Sequence, residues 1–304
     1  MVTLRAQLTR ACRGVAAIAA AKKDPGQLPT LVYLATYACG FTGRTEIGRF
    51  KDLAFAVFDA GFAEFLQREV SGRRALAGWE VLRVNRKQVH LKYRGIRAKI
   101  AKAALGAEPL LKGQSIAVTI PIVLPGVMPG FVFRHGVMGC GARAVSRLYL
   151  NITPRQAPWV LGALAEKLDA AAVPFEMKVL GHPAAYLRRD AAVVYVPSET
   201  AERAIDLIRS AIDRDGVRLG NGEPLLTRRL ATGFGYADDP SDIGGGLSHG
   251  QWVTGLLLEA AKASTRPKAM VDAVFDLIGK TGRDVRTPFL RGCKPDPITS
   301  APPR

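Results

Sequence analysis

Apolar residues recur every three or four positions through the first seventy residues and then, from Trp79, every second position. Leu4, Leu8, Cys12, Val15 and Ile18 are spaced by four and three, which predicts an amphipathic helix reaching about Ala21. LPTLVYLATYA (28–38) predicts a second helix. FKDLAFAVFDAGFAEFLQREV (50–70) predicts a third, with Phe55, Phe58, Phe62, Phe65 and Leu66 along one buried side and Ser71-Gly72 ending it. WEVLRV and VHLKYRG then alternate as two antiparallel strands around Asn85-Arg86-Lys87. SIAVTIPIVL predicts another strand, PGVMPGFVFRHG a turn followed by a strand, and SRLYLNI (146–152) a further strand. Thr153-Pro154 opens a helix to about Ala171, with proline in the first turn, where its missing N–H has no partner to lose.

VPFEMKVL and RDAAVVYV (within 173–196) follow as two short strands joined through the breaker cluster Gly181-His182-Pro183. Ser198 is placed as the N-cap of a helix over Ala201 to Asp213. EPLLTRRLATGFGYADDPSDIGGGLSHG (223–250) reads as a long Gly/Asp/Pro-rich loop, a length that inside a domain signals function or disorder. QWVTGLLLEAAKA and KAMVDAVFDLIGK predict two last helices. The pattern as a whole predicts an α+β fold: a helical region over 1–75, a mixed or antiparallel sheet domain with flanking helices over 76–285, and a flexible tail over 286–304, where Pro295, Pro297, Pro302 and Pro303 fall.

The chain has 304 residues, 48% hydrophobic and 23% charged, which is enough apolar material for a sizeable core. Its net charge of +17 favours acidic partners. Nucleic acid is not the expected one, because no RNP, KH or helix-turn-helix pattern occurs and aromatics are only 7%. Lys87, Lys92, Arg94, Arg97, Lys99 and Lys102 form a basic patch that reads as a solvated strand face. The four cysteines, Cys12, Cys39, Cys140 and Cys293, form no CxxC, and the four histidines no HxxxH, so no zinc site is expected. No apolar run reaches the roughly 18 residues of a membrane span. Arg5, Arg10 and Arg13 before GVAAIAAA faintly resemble a signal peptide, but the helical spacing explains the stretch better. The expected location is therefore the cytoplasm.

Two sharp motifs fail on context. Gly246-Leu247-Ser248-His249-Gly250 matches the GxSxG of serine hydrolases, but that elbow needs a strand before it, and no histidine follows His249 to complete the triad. Gly279-Lys280-Thr281 resembles the end of a P-loop, but Val274 stands where the first glycine belongs and the stretch is a helix end.

The chemistry gathers in 173–196. Lys178 lies inside an otherwise apolar strand, and Arg188, Arg189 and Asp190 open the next. If that segment is extended, Tyr186, Arg188 and Asp190 share a face. Such a set suits an anionic ligand, or else Lys178 ends a half-exposed strand and reaches water.

From Pro129 onward the chain resembles the HopA-type family, which includes a plant-pathogen type III effector and the lyases of some lanthipeptide-like clusters. PGFVFRHG matches its PGFY-type strand, SRLYLN its Arg-x-Tyr strand, PFEMKVL with YLRRDAAVVYV its PFxxKV…YxRxD…YV core, and EPLLTRRLATGFGYADDP…SHG its loop. The match spans roughly 129–250. His249 stands where the family usually has an aromatic residue, and Trp252-Val253 where an arginine is expected, so either another cation takes that role or the activity is altered.

The resemblance implies phosphothreonine-lyase chemistry, the β-elimination of phosphate from phosphoserine or phosphothreonine to give dehydroalanine or dehydrobutyrine. It implies Lys178 as the base, Arg147 and Arg188 as the phosphate grip with Arg189 as the spare, Asp190 as the orienting carboxylate, and Tyr149 as proton donor with His182 the alternative. A neutral amine can take the Cα proton, and nearby cations favour that neutral form. Tyr149 lies 29 residues before Lys178, about the spacing at which the better-known phosphothreonine lyases carry their acid, a histidine. No metal or organic cofactor is required. The partners implied are a phosphorylated peptide or protein and a separate Ser/Thr kinase, with no nucleic acid and no membrane; the oligomeric state stays open. Ribosomal-peptide tailoring is the expected setting, because the N-terminus is apolar and helical where a type III secretion signal is polar and Ser-rich; a secreted effector is the alternative. A non-catalytic protein that binds a phosphopeptide or leader peptide is the second reading.

Overall fold

The computed structural model describes residues 3–21, 25–41, 52–53, 57–93, 96–105, 109–140, 144–243 and 246–291. Phe55, Arg94, Cys293 and the prolines from Pro295 onward lie outside these.

The chain builds an α+β fold around two sheets. Helix α1 (Leu4–Ala21) buries Leu8, Cys12, Val15 and Ile18, the stripe expected from its spacing. Helix α2 (28–38) is α-helical over Leu28–Val32 and π-helical over Tyr33–Ala38. Helix α3 (Ala60–Glu69) is shorter than predicted. Asp59 is extended and its carboxylate accepts the Phe62 N–H, so the helix starts there. Phe58 therefore falls before the helix and is 42% exposed, while Phe62 and Leu66 are buried.

A four-stranded antiparallel sheet follows, in the order β3-β2-β1-β4: β1 (Arg73–Val84), β2 (Gln88–Tyr93), β3 (Ile96–Ala101) and β4 (Ser115–Pro121). Trp79, Val81, Val89, Leu91 and Val118 give it a small core of its own. The run SIAVTIPIVL, expected as one strand, is divided at Ile122. Its first part pairs with β1; its second is β5 (Val123–Met128), which pairs in the other sheet with β6 (Phe131–His135).

That second sheet has seven antiparallel strands in the order β10-β11-β7-β9-β8-β6-β5, adding β7 (Val145–Leu150), β8 (Glu176–Leu180), β9 (Ala192–Pro197), β10 (Arg228–Ala231) and β11 (Phe234–Asp238). β10 and β11 lie in the stretch expected to be structureless. They form a hairpin through Thr232-Gly233, and β11 pairs with β7 over its full length.

Strand side chains alternate, and this divides the sheet. Leu148, Leu150, Met177, Val179, Val194 and Val196 point to one face and pack under α3, the irregular helix α4 (154–170) and α5 (Ala201–Arg214). The residues between them face the opposite side. There α1, α2, α6 (His249–Ala263) and α7 (Pro267–Lys280) assemble around Tyr37, Trp252 and Met270. Ser248 caps α6 by accepting the Gln251 N–H, so the GxSxG match is a helix start. Gly279-Lys280-Thr281 ends α7. Residues 286–291 pack back on the sheet, with Leu290 buried and the Phe289 carbonyl accepting the Asp238 N–H at 2.8 Å.

Candidate active site

The register of the central strands places the charged residues in two rows. In one, Tyr149 lies opposite Val193, Val193 opposite Lys178, and Lys178 opposite Phe133. In the next, Arg147 lies opposite Tyr195 and Tyr195 opposite Glu176. Lys178 and Tyr149 are thus two strands apart, about 10 Å between backbones.

Lys178 is 8% exposed, and its ammonium sits over the Phe131 ring at 3.9 Å, 5.5 Å from the Tyr195 ring and 3.7 Å from Met128 Sδ. Among the described residues it makes no ion pair. Arg147, from β7 on the other flank of β9, also places its guanidinium over the Tyr195 ring, at 5.0 Å, and pairs with Asp239 through Nε at 2.9 Å and through Nη2. Tyr195 therefore stands between two cations.

Arg188 and Asp190 come together from the segment between β8 and β9. Arg188 donates Nε and Nη2 to the two Asp190 oxygens at 2.9 and 2.8 Å, and Tyr33 of α2 donates its hydroxyl to Asp190 at 2.6 Å. This fork leaves Nη1 without a partner among the described residues. Arg188, Tyr33, Phe131 and Gly130 line a cavity of about 200 Å³ beside it.

Several residues fall elsewhere than expected. Residues 183–187 form a short 3-10 helix, so the segment is not extended. Tyr186 turns into the core instead of sharing a face with Arg188, donating to the Leu180 carbonyl at 2.8 Å and packing on Phe62. His182 caps that helix, its Nδ1 accepting the Ala184 N–H at 3.1 Å, and no contact joins it to Lys178 among the described residues. Tyr149 is 2% exposed, enclosed by the Tyr37 ring at 6.5 Å and the His249 ring at 6.4 Å, with the Tyr37 phenol as its polar neighbour but no hydrogen bond of good geometry. Arg189 points away from Arg188, donating to the Glu223 carbonyl at 3.3 Å. Where an arginine was expected after the loop, buried Trp252 instead carries the guanidinium of Arg283 on its face, at 4.8 Å. Tyr33, Phe131, Tyr195 and Asp239 were not singled out from the sequence. Of these, Tyr195 was legible, because it alternates with Val193 on a strand already drawn, on the face of Lys178.

Burial opposes the charge on Asp190, but Arg188 and the Tyr33 hydroxyl outweigh it and hold the carboxyl below the usual range. Burial likewise opposes the Arg147 charge, and its tyrosine neighbours with Asp239 hold the guanidinium above the ordinary arginine value. Burial raises the Tyr33 phenol, and Asp190 adds to this.

His249 is fully buried; burial pushes its pKa down to about 3, with Arg147 and Arg283 acting in the same direction. Its Nε2 lies 3.1 Å from the Leu226 carbonyl, which can only accept, so the neutral ring carries its proton there. The unfolded chain takes up a proton near pH 6.5, which the folded chain refuses down to about pH 3. This residue's contribution is complete above pH 6.5 and declines as the pH falls, by on the order of 1 kcal/mol per pH unit. His249→Phe will show a flatter dependence of Tm on pH between 7 and 4 than the wild type. Parallel curves in thermal denaturation would refute that assignment.

The 126–290 stretch matches the model of the HopA1 effector protein family. Two solved structures are similar. One is an effector protein from Pseudomonas syringae pv. tomato strain DC3000, at 22% identity and a TM-score of 0.43, covering 53% of this chain and 63% of that one. The other is an effector protein from Pseudomonas syringae pv. syringae strain 61, at 22% identity and a TM-score of 0.44, covering 54% of this chain and 63% of that one. The chain thus spans less than two thirds of either effector. No curated protein matches it. With more than half of its length inside the family model, from β5 to the residues after α7, the chain belongs to the HopA1 effector protein family.

Proposed function

We propose that the protein is a phosphoserine/phosphothreonine lyase acting on a phosphorylated peptide or protein. The observation that carries this is the approach of Lys178, without a carboxylate partner among the described residues, and Arg188 to one ring, Phe131, at 3.9 and 5.6 Å, with Arg188 lining an open cavity beside it. Lys178 in its neutral form takes the Cα proton. The electrons of that C–H bond form the Cα–Cβ double bond, the Cβ–O bond breaks, and phosphate departs with both electrons of that bond. Arg188, fixed by Asp190 and Tyr33, presents a planar donor to the leaving phosphate, and Arg147 adds positive field from the next row. We assign the proton donor to Tyr195, which stands between Lys178 and Arg147 and is half-buried, in place of the enclosed Tyr149. These steps use the chain's own side chains.

Family membership supports a setting in which the enzyme reaches a host cell and acts on a phosphoprotein there. Tailoring of a ribosomal peptide, after a separate kinase has phosphorylated it, is the other setting for the same chemistry. Among the described residues no helix is long and apolar enough to cross a membrane.

The test is mass spectrometry of phosphoserine and phosphothreonine peptides incubated with the protein. Loss of the mass of phosphoric acid, leaving a dehydro residue, is the expected result. Intact phosphopeptide that nonetheless stays bound would favour the second reading, a non-catalytic phosphopeptide-binding protein. One observation supports that reading: buried Trp252 and Val253 stand where an arginine is expected after the loop.

A further inference from the structure

Arg189 lines a second, larger cavity of about 400 Å³, whose lining includes neither Lys178 nor Arg188. Arg10 of α1, Arg228 and Arg229 of β10 and Arg286 join it in the lining, against a single carboxylate, Glu223. Glu223 is engaged already, with Arg229 Nε at 3.3 Å and the Gly233 N–H at 3.0 Å. Among the described residues the Arg189 guanidinium donates to the Glu223 carbonyl alone, and burial disfavours its charge. The backbone has been cleared around it. Gly40 and Gly222 hold φ of +72° and +86°, a region that side chains rarely adopt, and a Cβ on Gly222 would lie 2.9 Å from Arg189 Cζ, one on Gly40 closer still. Phe41, Leu225 and Phe289 supply an apolar wall.

We propose that this cavity binds an acidic peptide segment, its carboxylates on Arg10, Arg189 and Arg229 and an apolar side chain on Phe41 and Phe289. A part-buried guanidinium with two glycines set back from it is stabilised by an anion supplied from outside. The volume falls in the range of ligand sites, and the arginines are contributed by α1, the segment before β9, β10 and the residues after α7, which suits a segment with several carboxylates. The site is independent of the elimination proposed at Lys178, because none of Lys178, Arg188, Arg147 and Tyr195 lines it.

Isothermal titration of the full chain with an unphosphorylated glutamate- and phenylalanine-rich peptide, and with its glutamine counterpart, tests this. The glutamate peptide should bind and the glutamine peptide bind at least roughly tenfold more weakly, with added salt reducing the difference. Arg189→Met should weaken the glutamate peptide by a similar factor, and Lys178→Met should leave it unchanged. Arg10→Gln, at an exposed helix position that the fold tolerates, should weaken it too. Equal binding of the two peptides, or full affinity in Arg10→Gln and Arg189→Met, would overturn the proposal. So would tight binding of single-stranded RNA that the acidic peptide fails to displace. Peptide binding without elimination anywhere would leave this site standing and remove the lyase, so the two failures are distinguishable.

Discussion

Lys178→Met will reduce phosphate elimination by roughly a hundredfold to ten-thousandfold, the usual contribution of a positioned general base, while phosphopeptide binding changes little. Methionine keeps an unbranched apolar stem against Phe131 and Met128 and removes only the amine, so the fold is preserved. Lys178→Arg will be equally inactive, since a guanidinium stays protonated and cannot take a proton from carbon. Single-turnover mass spectrometry at saturating phosphopeptide separates the chemical step from binding. The contrast with Arg188→Lys sharpens the assignment. Arg188→Lys retains charge but loses the fork held by Asp190, so its effect falls on both binding and turnover. Wild-type turnover in Lys178→Met would remove Lys178 as the base, whatever the phosphate grip does.

The side of the sheet that carries Lys178 was legible because the alternation in SRLYLN, EMKVL and AVVYV places Arg147 with Tyr149, Glu176 with Lys178, and Tyr195 with Val193 on one face of each strand without knowledge of the partner strands. The choice between Arg188 and Arg189 was not, because it depends on the short 3-10 helix at 183–187 that sets the register at the start of β9. Tyr33 was hidden for a different reason. It comes from a predicted helix 157 residues before Asp190, where it reads as one more apolar position, and only the packing of α2 against the sheet brings its hydroxyl to the carboxylate. The β10–β11 hairpin was missed because Gly and Asp are frequent in 223–250, although RRLA, Thr232-Gly233 and FGYAD contain the strand-turn-strand pattern within it. Asp239, which pairs with Arg147, follows directly from that hairpin, so one missed turn concealed one arm of the site.

Asp190→Asn will destabilise the fold by about 3–5 kcal/mol at pH 7, because it leaves Arg188, 14% exposed, without its counter-charge. The Asp190 carboxyl titrates below its unfolded value, so its contribution is complete above an unfolded pKa of about 3.9 and is lost as the pH falls through the lower folded value. Wild type and Asp190→Asn should therefore differ most in urea midpoint at neutral pH and converge only in strong acid, below the ordinary carboxylate range. The acid sensitivity contributed by His249 is present in both chains and cancels in the difference. Arg188→Met combined with Asp190→Leu removes both charges at once and should lie closer to wild type than either single change, since the cost of each single variant is mainly the unpaired charge it leaves behind. A double variant that retains stability but loses elimination would place Arg188 in the chemistry and limit Asp190 to holding it. If the double variant instead loses stability equal to the sum of the two singles, the pair is not energetically coupled, and the preorganisation argued for Arg188 fails with it.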